Sequence, residues 1–249
     1  MERGFDDVWF DCDSTLSTIE GIDELAALRP GLGPKVVELT RQAMAGEIPI
    51  AEVYGRRLEL IRPTREELEL VARRYAATLT PDSPAVIALL RAAGRRVRIL
   101  SGGLLPAVLG AARALGLPSA DVHAVDITCD AAGRYVDFDR RSPLARNGGK
   151  AEVLARERTP GGRALLVGDG MTDAEAAPAV DLFVGYGGVV LRDAVRRASP
   201  YYLSAPSLAP LLLLVLTDAE LACIAANPKH RPLVAAAEAL RPTIERNLR

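Results

Sequence analysis

Two rhythms of apolar and polar positions run along the chain. The first is a set of short, nearly unbroken apolar runs: Val8-Trp9-Phe10, Val97-Arg98-Ile99-Leu100, Ala164-Leu165-Leu166-Val167 and Asp181-Leu182-Phe183-Val184. Such runs read as buried strands. Each ends in small or acidic residues, and a segment of helical spacing follows the last three, at about 106–115, 173–177 and 191–198. Strands alternating with helices predict an α/β fold, a doubly wound and mostly parallel sheet with helices on both faces. Sites in such folds lie beyond the carboxyl ends of the strands.

The second rhythm fills residues 17–80 and has the 3.6-residue period of amphipathic helices. Four are predicted, at about 22–28, 34–45, 50–61 and 65–78, with Pro30, Pro49 and Pro63 at the breaks. Thr64 and Glu67 are spaced as a capping box for the last of them. A helical block inserted directly after the first strand predicts a cap over the strand ends. The expected organisation is a core of residues 1–16 and 81–216, a cap of residues 17–80, and a helical extension of residues 217–249 with no readable motif. Residues 122–138 alternate weakly around Gly133 and suggest a small hairpin.

Composition narrows the field of functions. A charged fraction of 25% with a net charge of −1 gives no support to a nucleic-acid or membrane surface. The longest apolar stretch, residues 208–216, contains Pro210 and is far short of the ~20 residues of a membrane span. The amino terminus enters a strand at once, without the pattern of a signal peptide. Cys12, Cys129 and Cys223 show neither metal-ligand spacing nor a disulfide framework, so a reducing cytoplasm is expected. Of 31 basic residues only Lys35, Lys150 and Lys229 are lysine. Where arginine is the default cation, a retained lysine raises the question of whether a compact ammonium is required.

The candidate chemistry sits where the strands end. Asp11 and Asp13 follow the first strand, where alternation lets both face one way while Cys12 turns into packing. One acid can attack phosphorus while the other manages the proton on the leaving oxygen. Taken alone, an Asp-x-Asp pair is as readily a solvated loop. Ser101-Gly102 offers a hydroxyl and bare backbone N–H groups suited to cradling a phosphate. Asn147-Gly148-Gly149-Lys150 places a lysine at a helix start. Gly168-Asp169-Gly170-Met171-Thr172-Asp173 sets two more carboxylates after a strand, spaced to hold a hard cation such as Mg²⁺ through oxygen. Four clusters in this order point to phosphoryl transfer.

With these motifs the chain resembles the haloacid dehalogenase-like superfamily over residues 6–214. With Glu20-Gly-Ile-Asp-Glu-Leu-Ala26, Ser101-Gly-Gly103, Gly148-Gly-Lys150 and Gly185-x-Gly-Gly188 added, it is similar to the phosphoserine phosphatase family within it. The resemblance implies Asp11 as nucleophile and Asp13 as acid–base. It implies a Mg²⁺ held by Asp11, Asp169 and the main-chain carbonyl of Asp13, with Asp173 in support. Ser101, Gly102 and Lys150 would bind the phosphoryl oxygens, with Thr172 near the substrate. Glu20 would take the ammonium of O-phosphoserine and Arg57 its carboxylate. Met44 and Ala45 match a position lining the family's pocket. Leu104 stands where the family usually has Phe, and Ala45 where some members have Gly, which implies a reshaped pocket. His123 and His230 lie outside every motif and are expected to be structural.

The implied activity is Mg²⁺-dependent hydrolysis of O-phosphoserine to serine and phosphate through an aspartyl-phosphate, as in serine biosynthesis, by a cytoplasmic monomer or homodimer. One rival is the same chemistry on another phosphomonoester, or transfer to an alcohol such as homoserine. Another is a non-catalytic phospho-ligand sensor, which would be expected to lack one of Asp11, Asp13, Lys150 or Asp169. All four are present.

Overall fold

A computed structural model of the chain describes residues 4–44 and 47–247, with the backbone alone at Met44 and Ile50. It has the predicted fold class. The chain enters through β1 (Asp7–Phe10) and passes into four helices, α1 (Gly21–Ala27), α2 (Gly33–Met44), α3 (Ile50–Ile61) and α4 (Arg65–Ala77). It returns through α5 (Ser83–Ala92), β2 (Arg96–Leu104), α6 (Leu105–Ala114) and β3 (Val122–Val125). A two-stranded ribbon of β4 (Ile127–Cys129) and β5 (Tyr135–Phe138) precedes α7 (Gly149–Glu157). The second half adds β6 (Ala164–Gly168), α8 (Met171–Glu175), β7 (Leu182–Tyr186), α9 (Asp193–Ala198) and β8 (Tyr201–Leu203). The chain closes with α10 (Leu212–Val215), α11 (Asp218–Ala226), α12 (Arg231–Ala239) and β9 (Ile244–Arg246).

The main sheet runs β3-β2-β1-β6-β7-β8-β9, parallel except for β9. Its middle strands, β1 and β6, are buried along their whole length, as strands covered by helices on both faces must be. The direction of winding reverses between β1 and β6, and such a switch point opens a crevice at the strand ends.

Three sequence expectations need correction. Residues 122–138 do not form one hairpin: β3 joins the main sheet beside β2, and only β4 and β5 pair antiparallel. Residues 217–249 are not wholly helical, because β9 adds antiparallel to β8 and ends the sheet. Strand β2 continues through Ser101-Gly102-Gly103 to Leu104 instead of stopping with the apolar run at Leu100.

The α1–α4 segment leaves and rejoins the sheet at one doorway. Ser17 and Leu79 form an antiparallel bridge there, and the Thr18 and Thr80 amides donate to Thr78 O at 2.8 Å and Leu16 O at 2.9 Å. The capping box of Thr64 and Glu67 forms as expected, and Arg29 reaches over to pair with Glu67. Helix α4 packs on α6 at very close range: a Cβ on Gly110 would lie 2.0 Å from Ala72 O, so only glycine fits. The first helix of the extension, α11, is tied to the sheet by Glu220, which pairs with Arg95 just ahead of β2. Ala45 and the Met44 side chain lie outside the described residues, so the expectation about them does too. Leu104 is buried at the β2–α6 junction, and Cys12 is buried in the core.

One buried polar node ties the first strand to its neighbours. Asp7 accepts from Thr159 N at 2.6 Å and Thr159 Oγ1 at 2.9 Å, and faces Arg98 Nη2 at 3.5 Å. The Arg98 guanidinium lies 4.4 Å from the Trp9 ring centroid, and the His123 ring meets that of Trp9 tilted by 43°, with centroids 5.3 Å apart. Removing one partner of a buried ion pair strands the other charge in low dielectric. Asp7→Ala should lower stability by about 3 kcal/mol in urea unfolding, without change in the denaturant slope. A loss below about 0.5 kcal/mol would mean that the node is not structural.

Candidate active site

Strand β1 delivers Asp11 into the crevice, and the chain turns sharply behind it. Asp11 caps the turn of residues 12–16 by accepting from Cys12 N at 2.7 Å through Oδ1. Within that turn Asp13 is extended and Ser14 takes the left-handed conformation with φ of +49°, a strain that surrounding contacts must hold. Ser14 Oγ donates to Glu20 Oε1 at 2.7 Å.

From the far side of the switch point, β6 and α8 bring Asp169 and Asp173. Gly168 is required here, since a Cβ would lie 2.2 Å from Asp173 Cγ. Carboxylate oxygens of Asp11, Asp169 and Asp173 all lie within 4.8 Å of one another, and all three residues are buried. An all-oxygen set of this kind suits a hard divalent cation. The carboxylate of Asp13 is not part of this group. Its Oδ1 accepts from Gly21 N at 2.7 Å and from the Tyr75 hydroxyl, and its Oδ2 lies 3.4 Å from Ser101 Oγ.

Lys150, at the start of α7, points between two of the acids. Its Nζ lies 2.9 Å from Asp11 Oδ2 and 2.7 Å from Asp173 Oδ1. Arg192 is a second cation, with Nη2 at 2.9 Å from Asp169 Oδ2 and 3.3 Å from Glu20 Oε1. Thr15 Oγ1 donates to Asp169 Oδ1 at 3.3 Å.

Crowding of like charges away from water sets the titration behaviour. Burial, then the Asp11 charge, pushes Asp13 up to about 6. Burial, opposed by Arg192 and reinforced by Asp11, pushes Asp169 up to about 7. Asp173 is raised by burial and by Asp11 against the pull of Lys150. Glu20 is raised by burial, then by Asp13 and Asp169. Burial disfavours the Lys150 ammonium, but Asp11 and Asp173 together hold its value above the ordinary one.

A cavity opens between these groups and the α1–α4 segment. Asp11, Asp13, Gly102, Lys150, Asp169 and Thr172 line it from the sheet side. Glu20 and Arg57 line it from the helical side. Arg57 is buried on α3 and donates through Nη1 to Thr40 Oγ1 at 2.9 Å, and Thr40 in turn donates to Asp23 Oδ1 at 2.5 Å. Its Nε has no hydrogen-bond partner among the described residues. A buried guanidinium with an idle donor on a cavity wall is suited to an anionic ligand.

The structure thus gathers eight of the ten expected residues around one cavity. The other two, Ser101 and Asp173, stand just behind its wall. Ser101 Oγ accepts from Gly103 N at 3.0 Å, and Asp173 Oδ2 accepts from Gly170 N at 3.1 Å. Leu104 is not part of the lining, so its difference from the family pattern does not reshape this wall. Sequence reasoning missed Thr40, Arg146, Arg192, Tyr54 and Tyr75. Tyr54 donates to Gly102 O at 2.8 Å, joining α3 to the end of β2. Arg192 follows the Gly185-x-Gly-Gly188 loop, the one local sign that it serves the site.

Comparison with known proteins agrees with this geometry. The family description of the haloacid dehalogenase-like hydrolases matches residues 8–181, and the chain belongs to that class. A phosphoserine phosphatase of Bos taurus is 38% identical over 201 residues, covering 80% of this chain and 89% of its own length. One of Drosophila melanogaster is 36% identical over 200 residues, covering 79% and 74%. Within the class, the chain belongs to the phosphoserine phosphatase family. A solved phosphoserine phosphatase, a phospho-aspartyl intermediate analogue, shares the fold with a TM-score of 0.73, 23% identity, and coverage of 86% of this chain and 100% of its own.

The raised value of Asp169 has a measurable sign. Its protonated form favours the fold, so that stability is complete below an ordinary carboxylate value of about 4 and is lost as pH rises through about 7. In chelator-treated protein, Asp169→Asn should flatten the change of melting temperature between about pH 5 and about pH 8 relative to wild type. Parallel profiles for the two proteins would contradict the assignment.

Proposed function

We propose that this chain hydrolyses O-phosphoserine to serine and phosphate through a phosphorylated Asp11. The observation that carries this reading is the two-sided cavity. Acids and Lys150 line the sheet wall, while the helical wall offers Glu20 and a buried Arg57 with an idle donor. A phosphomonoester that also carries an ammonium and a carboxylate matches all three features. Arg57 pairs the carboxylate, and the Thr40–Asp23 relay orients it. Glu20 pairs the ammonium, its Ser14 contact fixing the side chain.

The cluster of Asp11, Asp169 and Asp173 would hold Mg²⁺, with the main-chain carbonyl of Asp13 as a further oxygen. Bound there, the cation neutralises charge on the phosphoryl oxygens. A carboxylate oxygen of Asp11 attacks phosphorus while the bond to the seryl oxygen breaks. The electron pair goes to that oxygen, which takes the proton of Asp13. Water then attacks the aspartyl-phosphate, Asp13 takes a proton back, and Asp11 is released with phosphate. Lys150 holds Asp11 in place and offers its ammonium to the phosphoryl group. Gly102 lends close backbone access, and Ser101 and Thr172 border the same region. The Asp13 value of about 6 suits a group that must both give and accept a proton near neutral pH.

We further assign residues 17–80 as the lid that carries specificity, and residues 81–216 with the first strand as the body that carries chemistry. The tail braces the sheet, with α11 paired to Arg95 and β9 closing the edge beside β8.

Asp11→Asn should remove turnover of every phosphomonoester and abolish adduct formation with beryllium fluoride, read by mass-sensitive or fluorine NMR methods. Residual cleavage of any ester at the wild-type rate would defeat the nucleophile assignment. Arg57→Ala should raise KM for O-phosphoserine about tenfold to a hundredfold, and far less for a phosphate ester lacking a carboxylate. Equal effects on both substrates would remove Arg57 from the substrate site.

A further inference from the structure

Asp13 is held by two donors of different origin. The amide of Gly21 donates to Oδ1 at 2.7 Å, at the doorway of the helical segment. The hydroxyl of Tyr75, on α4, donates to the same oxygen. A carboxyl oxygen has two lone-pair positions, and on Oδ1 both are taken by donors. On the other oxygen the surroundings differ. Oδ2 accepts from Ser101 Oγ at 3.4 Å, which leaves its second lone-pair position, and a Cβ on Gly103, a residue of the cavity wall, would lie 3.1 Å from it. The bare glycine leaves space beside Oδ2, and both Asp13 and Gly103 line the cavity.

The position of the phenol is fixed from three directions. Tyr75 is fully buried, and Asp13 Oδ1 is the hydrogen-bond partner of its hydroxyl among the described residues. Three residues earlier on α4, Ala72 meets Gly110 of α6 at backbone contact distance, which pins this part of the helix to the body of the protein. Gly21 makes the room: a Cβ there would lie 2.1 Å from the Tyr75 oxygen. The site for a side chain at position 21 is therefore occupied by the phenol.

We propose that Tyr75 is a positioning residue that, with the Gly21 amide, keeps Asp13 Oδ1 as a pure acceptor and makes Oδ2 the oxygen that carries the proton to the leaving group. In the first step the Asp11–phosphorus bond forms and the phosphorus–seryl oxygen bond breaks. The electron pair moves to the seryl oxygen, and the proton of Oδ2 follows it, leaving Asp13 as a carboxylate. In the second step the oxygen of water bonds to phosphorus, Oδ2 takes back a proton of that water, and the Asp11–phosphorus bond breaks. The hydroxyl of Tyr75 transfers no proton in either step. Without it, the carboxyl group can rotate and the proton can reside on the oxygen facing away from the substrate.

This inference rests on Asp13 as the acid–base group, and the test separates the two claims. Acetate leaves phosphorus without needing a proton, whereas a serine alkoxide does not. Enzyme in excess, loaded with Mg²⁺, is mixed with O-phosphoserine or with acetyl phosphate, and loss of substrate in a single turnover is timed. Tyr75→Phe, which keeps the ring, should slow loss of O-phosphoserine at least about tenfold and leave acetyl phosphate within about twofold of wild type. Gly21→Ala keeps the amide donor but displaces the phenol, and should show the same selective loss by a separate route. Asp13→Asn should show the pattern more strongly. Equal slowing of both substrates by Tyr75→Phe and Gly21→Ala, or no slowing of either, overturns the role of Tyr75 while leaving Asp13 in place. Equal slowing of both by Asp13→Asn overturns the acid–base assignment itself, and this inference with it.

Discussion

The arrangement depends on a repulsion that has to be held in check. Asp11, Asp169 and Asp173 converge in a buried space where carboxylates resist sharing charge. The ammonium of Lys150, set between Asp11 and Asp173, offsets part of that cost within the chain itself. Arg192 does the same for Asp169 and Glu20. Much of the local architecture serves these contacts. The switch point between β1 and β6 brings the acids together, Gly168 lets Asp173 fold back, and α7 begins where its second residue, Lys150, reaches them. A site poised in this way favours positive charge and a polyanionic substrate over an empty acidic cage.

Specificity is built on a different principle from the chemistry. In the proposed function the sheet side acts on the phosphoryl centre. In that function the helical side reads the rest of the molecule, with Arg57 oriented by Thr40 and Asp23 of the same segment and Glu20 by Ser14 of the turn behind β1. The two sides are joined by Tyr54 to Gly102 and by Tyr75 to Asp13. Recognition and reaction are therefore connected through a few polar contacts as well as through apolar packing.

Much of this was legible in the sequence because the informative residues are local. The apolar run ending in Asp11-x-Asp13 states both a strand and its cargo, and the capping box at Thr64 states where α4 begins. What escaped notice depends on distant partners. Tyr75 shares a buried stripe with Leu68, Val71 and Ala72, and nothing nearby separates a tyrosine that reaches a carboxylate from one that fills the core. Arg192 is one arginine in a chain where that residue is the usual cation. Ser101 was read as following a strand, but β2 runs on past it because β3 supplies a neighbour as far as Leu104. The tail looked helical because β9 is only three residues long and exists through its pairing with β8.

That last strand has a further consequence. A parallel sheet ending at β8 would present a row of free amides and carbonyls beside Tyr201, Tyr202 and Leu203. By folding its own tail back antiparallel, the chain finishes that border with a very short strand bearing Glu245 and Arg246. A short charged border is a poor template for a foreign strand, so the tail shields the enzyme from growing into an aggregate along this side.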